Sequence, residues 1–302
     1  MADGQTPAPE SWRIVVFTNI PGGVIYSLVD EIVRPLGHRV VGVVTSPGPQ
    51  RRRSPTYLEV VAAVSPGVDV IVSNHPERWA AMLAPLKPDL IISGGFPWRI
   101  PADVLALPRL GAINMHPALL PRYRGPAAIE WAFRNGEAEM GFTVHRLSPD
   151  FDTGPILAQT RIPIADDDDI DSLVAKFSPL LPGLLGQALE RVARGDPGEA
   201  QDEAQATYAG LFDEEWRVID WSQPARTVHN QVRSWIGVRD IPLGALGEID
   251  GKTYQITKTR LLPVETEQRE VAPPGTVVQR NGERVVVQCG DGLIEILTWS
   301  TT

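Results

Sequence analysis

Short apolar runs alternate with amphipathic segments along the first two-thirds of the chain. Such runs predict β-strands, and apolar residues spaced three or four positions apart predict helices. We therefore predict helices at 23–36, 56–64 and 77–86, interleaved with strands at 13–18, 39–45, 68–73, 89–93 and 111–115. This alternation indicates an α/β fold, with a Rossmann-like, mostly parallel sheet covered by helices on both faces.

The pattern changes between residues 125 and 194. It predicts a helix at 125–135, two strands at 140–147 and 156–164, and a helical segment at 169–194 that Pro179 and Pro182 interrupt. A run of aspartates, Asp166 to Asp169, stands where this helical segment begins. Acidic side chains are stabilised at a helix N-terminus. We interpret the run as a solvated helix start rather than a metal site.

A polar segment at 195–207 is our candidate linker, and it divides the chain into predicted domains at 1–200 and 207–302. The second domain begins with a predicted helix near 225–235. Short β-like runs follow, separated by Asp-Gly and Asn-Gly turns, at 247–250, 254–261, 276–279, 284–288 and 293–297. Short strands joined by such turns predict a smaller C-terminal β-barrel.

Composition places the chain among globular proteins, with 302 residues, 43% hydrophobic and 22% charged positions, and a net charge of −9. No apolar run approaches the ~20 residues of a membrane helix, so we expect no membrane association. The first dozen residues lack the basic and apolar blocks of a secretory signal. Cys289 is the single cysteine, so an internal disulfide is excluded. We interpret Cys289 as a buried strand thiol. These features favour a cytoplasmic location.

Three polar residues form the strongest candidate site. Asn114 and His116 stand two positions apart at the end of the strand predicted at 111–115, and alternate residues of a strand share a face. Asp152 follows the strand predicted at 140–147. Sheets of this class bind ligands at the carboxyl ends of their strands. An amide donor, an imidazole and a carboxylate are suited to acyl transfer.

Three motifs in this region resemble the folate-dependent formyltransferases: Asn114-x-His116, Leu-Leu-Pro-x-x-x-Gly at 119–125, and Phe-Asp-Thr-Gly-Pro-Ile-Leu at 151–157. The resemblance implies 10-formyltetrahydrofolate as the formyl donor and Asn114, His116 and Asp152 as catalytic residues. It also implies that the C-terminal barrel is OB-like, because methionyl-tRNA formyltransferases carry an oligonucleotide-binding barrel at this place.

The chemistry of the three residues suggests a mechanism. We expect Asp152 to hold His116 protonated, because a nearby opposite charge favours the charged imidazole. His116 and Asn114 would then stabilise the oxyanion that forms when an amine attacks the formyl carbon. Asp152 would accept the proton that the amine loses. His145 precedes the Asp152 loop, and a place in the cleft and a purely structural role are both open.

The resemblance also implies a folate pocket. Its predicted contacts are Gly95, Phe96, Pro97, Trp98, Ile100 and Asp150. The family often has Ala-Tyr-Gly where this chain has Gly94-Gly95-Phe96, so the contacts themselves are expected to differ. Arg122 and Arg124 are predicted to bind substrate, either steering the acceptor or holding the glutamate tail of folate. The alternative is that they point to water. No cluster with metal-ligand spacing is present, so no metal is expected.

Three functions are compatible with these motifs, and the first two differ in the molecule that accepts the formyl group. A barrel that holds tRNA needs a positive face, but residues 207–302 carry 10 Lys plus Arg against 13 Asp plus Glu. The basic run Arg51 to Arg53 stands in a short loop, 46–55. We therefore favour a small amine, such as an amino sugar, a hydroxyornithine or another specialised-metabolite precursor. Methionyl-tRNA is the alternative. A non-catalytic folate-binding protein is third, because the three candidate catalytic residues are intact.

Overall fold

The structure is a computed structural model that describes residues 11–49, 55–237, 243–263, 272–282 and 284–301. The described residues divide into two compact units. Unit 1 is drawn from 1–116, 142–160 and 180–204, and unit 2 from 117–141, 161–179 and 205–302. The domain limits predicted from the sequence, 1–200 and 207–302, stay a prediction. The basic run Arg51 to Arg53 lies outside the described residues.

One seven-stranded sheet organises the first half of the fold. Its strands are β1 (Arg13–Thr18), β2 (Arg39–Thr45), β3 (Asp69–Val72), β4 (Leu90–Gly94), β5 (Ala112–His116), β6 (Glu139–Arg146) and β7 (Ile156–Pro163), in the spatial order β3-β2-β1-β4-β5-β6-β7. The pairings from β3 through β5 are parallel, and β6 runs antiparallel to β5. The predicted mostly parallel sheet is confirmed.

Eight α-helices accompany the strands in the described residues: α1 (Val24–Val33), α2 (Thr56–Ala63), α3 (Pro76–Leu83), α4 (Ala102–Leu105), α5 (Ala128–Arg134), α6 (Ile170–Phe177), α7 (Leu181–Ala193) and α8 (Ala225–Ser234). The helical segment predicted at 169–194 is two helices. Pro179 lies between them, and Pro182 lies in the first turn of α7, where its missing N–H costs little. Helix α5 begins three residues later than predicted, because Gly125 has a φ of 106° and the Ala127 N–H donates to the Ala209 carbonyl.

Alternate residues of the central strands face two different cores of unit 1. In β1, Ile14 and Val16 pack with the apolar faces of α1 and α7, whereas Val15 and Phe17 pack with Trp79 of α3. A parallel sheet covered on both faces explains why β1 and β4 are apolar nearly throughout. The polar positions at the carboxyl ends of these strands therefore stand out from the core pattern.

Unit 2 contains a second, antiparallel sheet. Its strands are β8 (Ala245–Ile249), β9 (Lys252–Leu261), β10 (Val277–Asn281), β11 (Arg284–Gln288) and β12 (Leu293–Thr301), in the order β10-β11-β12-β9-β8. Val228 and Val232 of α8 pack against its apolar face. Cys289 is buried there, and burial raises the pKa of its thiol to about 12. The separate C-terminal β domain predicted from the sequence is confirmed as an antiparallel sheet, and the thiol is buried as predicted, whereas closure into an OB-like barrel stays a prediction.

The aspartate run is neutralised by cations within unit 2. Asp169 caps α6 by accepting a hydrogen bond of 3.0 Å from the Ser172 N–H. The ion pairs of the run join Asp166 to Arg226, Asp168 to Lys176 and Asp169 to Lys258. No group of three or more His, Cys, Asp or Glu among the described residues has an arrangement that could hold a metal ion. No described helix has the length and apolarity required to cross a bilayer.

Candidate active site

Strand β5 presents a polar pair on one face. Ile113 and Met115 point into one core of unit 1, so Asn114 and His116 share the opposite face with Ala112. Strand β6 pairs antiparallel with β5 and places His145 opposite Asn114. Residues directly opposite in such a pair lie on the same face. Local alternation and cross-strand register together therefore bring these three side chains to one place.

Asp152 completes the cluster from the loop between β6 and β7. Its Oδ1 accepts a hydrogen bond of 3.2 Å from Asn114 Nδ2, and its Oδ2 lies 3.6 Å from His116 Nδ1. The side chains of His116 and Asp152 are only 6% and 10% exposed. The structure thus brings together the three predicted catalytic residues within unit 1, at the carboxyl end of β5. Their catalytic roles stay a prediction.

His145 belongs to the same cluster, which the sequence alone left open. It is fully buried, and its Nδ1 donates to the Arg146 carbonyl at 2.8 Å. Its Nε2 lies 3.2 Å from Asn114 Nδ2 and 3.4 Å from Asp152 Oδ1. With Nδ1 as the donor, the neutral ring offers Nε2 as an acceptor for the Asn114 amide. The sequence signal for His145 is its alternation with Thr143 along β6. This signal indicates a place beside Asn114 only when the register of β6 with β5 is known.

The arrangement can stabilise opposite charges in a site that is largely shielded from solvent. The Asp152 carboxylate lies 3.6 Å from His116 Nδ1, and an opposite charge beside an imidazole favours its protonated form. A protonated His116 is then a strong donor toward an oxygen that gains negative charge. The Nδ2 group of Asn114 lies within hydrogen-bond distance of both His145 and Asp152. To donate to a formyl oxygen as predicted, Asn114 would therefore have to give up its hydrogen bond to either His145 or Asp152.

The Asp152 loop is held in an unusual conformation. Asp152 has a φ of 55°, a left-handed value that is uncommon for a residue other than glycine. Gly154 lies so close to β6 that an added Cβ would meet the Arg146 carbonyl oxygen. Gln201 Nε2 donates to the carbonyls of Asp152 at 2.8 Å and of Gly154 at 2.7 Å. Sequence reasoning did not identify Gln201, because it lies in the polar segment interpreted as a linker.

The predicted folate residues follow β4, which is parallel to β5 and pairs Gly94 with Met115. Gly95 has a positive φ of 62°. Phe96 and Trp98 are half-buried and pack against Trp79, and Ile100 is buried in the same core. Among the predicted contacts Pro97 is half-buried, and Asp150 is largely exposed, 3.4 Å from Arg99. Contact of these residues with folate stays a prediction.

Arg122 and Arg124 lie in unit 2 and have different surroundings. Arg122 forms an ion pair with Glu137, which raises the pKa of the guanidinium, and it lies over the Tyr123 ring at 5.1 Å. Arg124 is buried, and its backbone exchanges hydrogen bonds with Thr207 and Ala209. Arg122 is thus exposed although paired, and Arg124 is buried, and substrate binding by them stays a prediction.

Known proteins resemble the chain along nearly its whole length. Residues 13–189 match the model of the formyl transferase family, and residues 212–301 match the model of the formyl transferase C-terminal domain. Methionyl-tRNA formyltransferase of Caldanaerobacter subterraneus subsp. tengcongensis is 35% identical over 270 residues, which cover 86% of this chain and 84% of that protein. The Roseiflexus castenholzii protein of the same name is 34% identical over 290 residues, covering 94% and 90%.

Solved structures share the fold at lower identity. The N-formyltransferase from Helicobacter canadensis in complex with folinic acid and dTDP-3-aminofucose has a TM-score of 0.66 and 16% identity, covering 95% of this chain and 99% of that one. HypX from Aquifex aeolicus in complex with tetrahydrofolic acid also has a TM-score of 0.66, with 22% identity. The match covers 97% of this chain but only 44% of HypX. The match to both family models and the relatives above 30% identity establish that this chain belongs to the formyl transferase family.

Proposed function

We propose that this protein transfers the formyl group of 10-formyltetrahydrofolate to a primary amine. The observation that carries the proposal is the cluster of half-buried Asn114 with buried His116 and Asp152, in which the Asp152 carboxylate lies 3.2 Å from Asn114 and 3.6 Å from His116. Its position at the carboxyl end of β5 is where open α/β sheets bind ligands. Membership of the formyl transferase family supports the same chemistry.

The cluster can perform each proton and charge step of the transfer. The formyl oxygen becomes negative as the amine nitrogen bonds to the formyl carbon, and His116 donates a hydrogen bond to it. Asn114 supplies a second donor to this oxygen once it gives up its hydrogen bond to His145 or to Asp152. Asp152 takes up the proton that the amine nitrogen loses. The oxyanion then collapses to the carbonyl of the new formamide as the bond between the formyl carbon and the folate nitrogen breaks, and that nitrogen receives the proton that Asp152 took up.

The acceptor that the relatives favour is the aminoacyl group of methionyl-tRNA. Proteins of that name are 34–35% identical to this chain, and each aligns over more than four-fifths of both sequences. The alignments extend into the C-terminal domain, so the likeness to these proteins includes both domains. Methionyl-tRNA therefore replaces the small amine, which the sequence analysis favoured, as the first candidate for the acceptor.

A small amine is the second candidate, and the charges of unit 2 favour it. Basic side chains of this unit are engaged by carboxylates of the same unit, which leaves less positive surface for phosphates. These ion pairs join Arg226 to Asp166, Lys258 to Asp169, Arg280 to Asp250, and both Arg260 and Arg284 to Glu295. The acidic balance of residues 207–302 points in the same direction.

The deciding experiment measures release of tetrahydrofolate from 10-formyltetrahydrofolate with initiator methionyl-tRNA and, separately, with free amines that include amino sugars and N-hydroxyornithine. We expect turnover with methionyl-tRNA, and a KM for tRNA that rises steeply with salt because phosphate contacts release counterions. Turnover with a free amine alone would replace the first candidate by the second. No turnover with any acceptor, in folded protein that binds folate, would overturn catalysis itself.

A further inference from the structure

Gln201 is the side chain outside the predicted site that contacts the Asp152 loop most directly. Its Nε2 donates to two carbonyls of this loop, Asp152 at 2.8 Å and Gly154 at 2.7 Å. The two acceptors flank Thr153, so one amide group bridges the turn that carries the carboxylate. All of these residues belong to unit 1.

The bridged turn holds Asp152 in the left-handed region, with a φ of 55°. This conformation is unfavourable for most residues with a Cβ, although Asp and Asn tolerate it better than others. Among the described residues, Ser148 and Thr153 bond to each other at 2.7 Å and to the Asp150 carbonyl, and Arg99 lies 3.4 Å from Asp150, so these contacts stabilise the exposed tip of the loop. The Gln201 bridge acts instead at the base of the loop, on the Asp152–Thr153 and Gly154–Pro155 peptide groups.

The backbone around Gln201 is anchored by other groups. Glu199 and Ile156 exchange two backbone hydrogen bonds of 2.8 Å. Arg191 holds Asp196 and the Leu157 carbonyl. These contacts tie the 196–199 segment to β7 without the side chain of Gln201. A variant that lacks the Gln201 amide is therefore expected to fold. Loss of the amide should alter only the conformation of the Asp152 loop.

We propose that Gln201 is a positioning residue, which sets the reach of the Asp152 carboxylate toward Asn114 and His116 by bridging the Asp152 and Gly154 carbonyls. The inference rests on the proposed formyl transfer for its effect on rate, but the position of the carboxylate can be observed without turnover. Gln201 acts through Asp152 and takes no part in the reaction.

The test compares Gln201→Met, which keeps the length of the side chain and removes both donors, with Gln187→Met on the exposed face of α7. Gln201→Glu is a second variant, since an ionised carboxylate cannot donate to either carbonyl. We expect both Gln201 variants to lose about 10- to 100-fold in kcat, the range for a sub-ångström to 1 Å misplacement of a catalytic group. The KM for 10-formyltetrahydrofolate and the thermal midpoint should match those of Gln187→Met.

An NMR readout separates failure of this inference from failure of the proposed function. Long-range ¹H–¹⁵N spectra report the tautomer and the hydrogen-bond environment of the His116 ring, which lies 3.6 Å from Asp152 Oδ2. At fixed pH, we expect the ring ¹⁵N shifts of His116 to change in Gln201→Met and to be unchanged in Gln187→Met. Wild-type protein that turns over no acceptor would overturn the proposed function alone. Unchanged His116 ring shifts in both Gln201 variants would overturn the positioning role, whatever the turnover.

Discussion

A single methyl group at Gly154 should disable the proposed site without touching a catalytic side chain. In Gly154→Ala the new Cβ would lie 1.8 Å from the Arg146 carbonyl oxygen and 2.7 Å from its carbonyl carbon. Contacts of a Cβ under 3.0 Å essentially do not occur, so the two segments must separate by at least 1.2 Å, the difference between 3.0 and 1.8 Å.

The Arg146 side of this contact has little freedom to retreat. Its carbonyl accepts the hydrogen bond from His145 Nδ1, and its N–H donates to the Pro155 carbonyl at 2.8 Å. The loop must therefore move, and it carries Asp152 only two residues away. A displacement of about 1 Å at a catalytic group can cost about 100-fold in rate, or roughly 2.7 kcal/mol of activation free energy. Overpacking should also lower stability by about 1–3 kcal/mol.

The assay is kcat for formyl transfer with the best acceptor, measured beside urea unfolding. Gly186→Ala is the matched control, because it makes the same change in α7 of unit 1, where an added Cβ meets nothing within 4 Å. We expect that control to keep full activity and to gain about 0.5–1 kcal/mol of stability, since alanine favours a helix over glycine. A Gly154→Ala enzyme as active as Gly186→Ala would refute the argument that this close approach sets the position of Asp152.

Three further predictions concern individual side chains. His116→Ala should lower kcat by about 100- to 1000-fold, as expected for loss of one oxyanion donor, and single-turnover kinetics would reveal whether the chemical step is the one affected. Asp152→Asn keeps the shape of the side chain but removes its charge and its capacity to take up the amine proton, so it should lower kcat by about 100-fold or more; a kcat close to that of wild type would contradict this. Burial lowers the pKa of His229 to about 4 from 6.5, with Nε2 donating to the Asp166 carbonyl and Nδ1 accepting from Thr259. The unfolded chain therefore binds a proton first as the pH falls, and the free energy of unfolding should drop between pH 6.5 and pH 4 by at most about 1.4 kcal/mol per unit. Urea titrations at several pH values should show a weaker dependence in His229→Gln.

Local pattern in the sequence was sufficient for the elements and for one face of the site. Alternation in β5 placed Asn114 and His116 together, because a strand with a two-residue repeat must put them on one side. Alternating strands and helices likewise indicated the parallel sheet, and the carboxyl end of its strands as the place for chemistry. The limits of α5 were harder to predict, because Arg124 and Ala127 are held by hydrogen bonds to the distant segment 207–209 rather than by local propensity.

Only the tertiary structure decided which other groups meet this pair. His145 joins it through the register of β6 on β5, and a shift of one residue would turn that ring to the other face. Asp152 depends on a left-handed turn pressed against Arg146, and Gln201 reaches that turn from a segment 49 residues away in sequence. Such contacts arise from chain closure and cross-strand pairing, which no local repeat of apolar and polar residues encodes. The sequence by itself determined the strand that bears the chemistry, and the fold determined the groups that complete it.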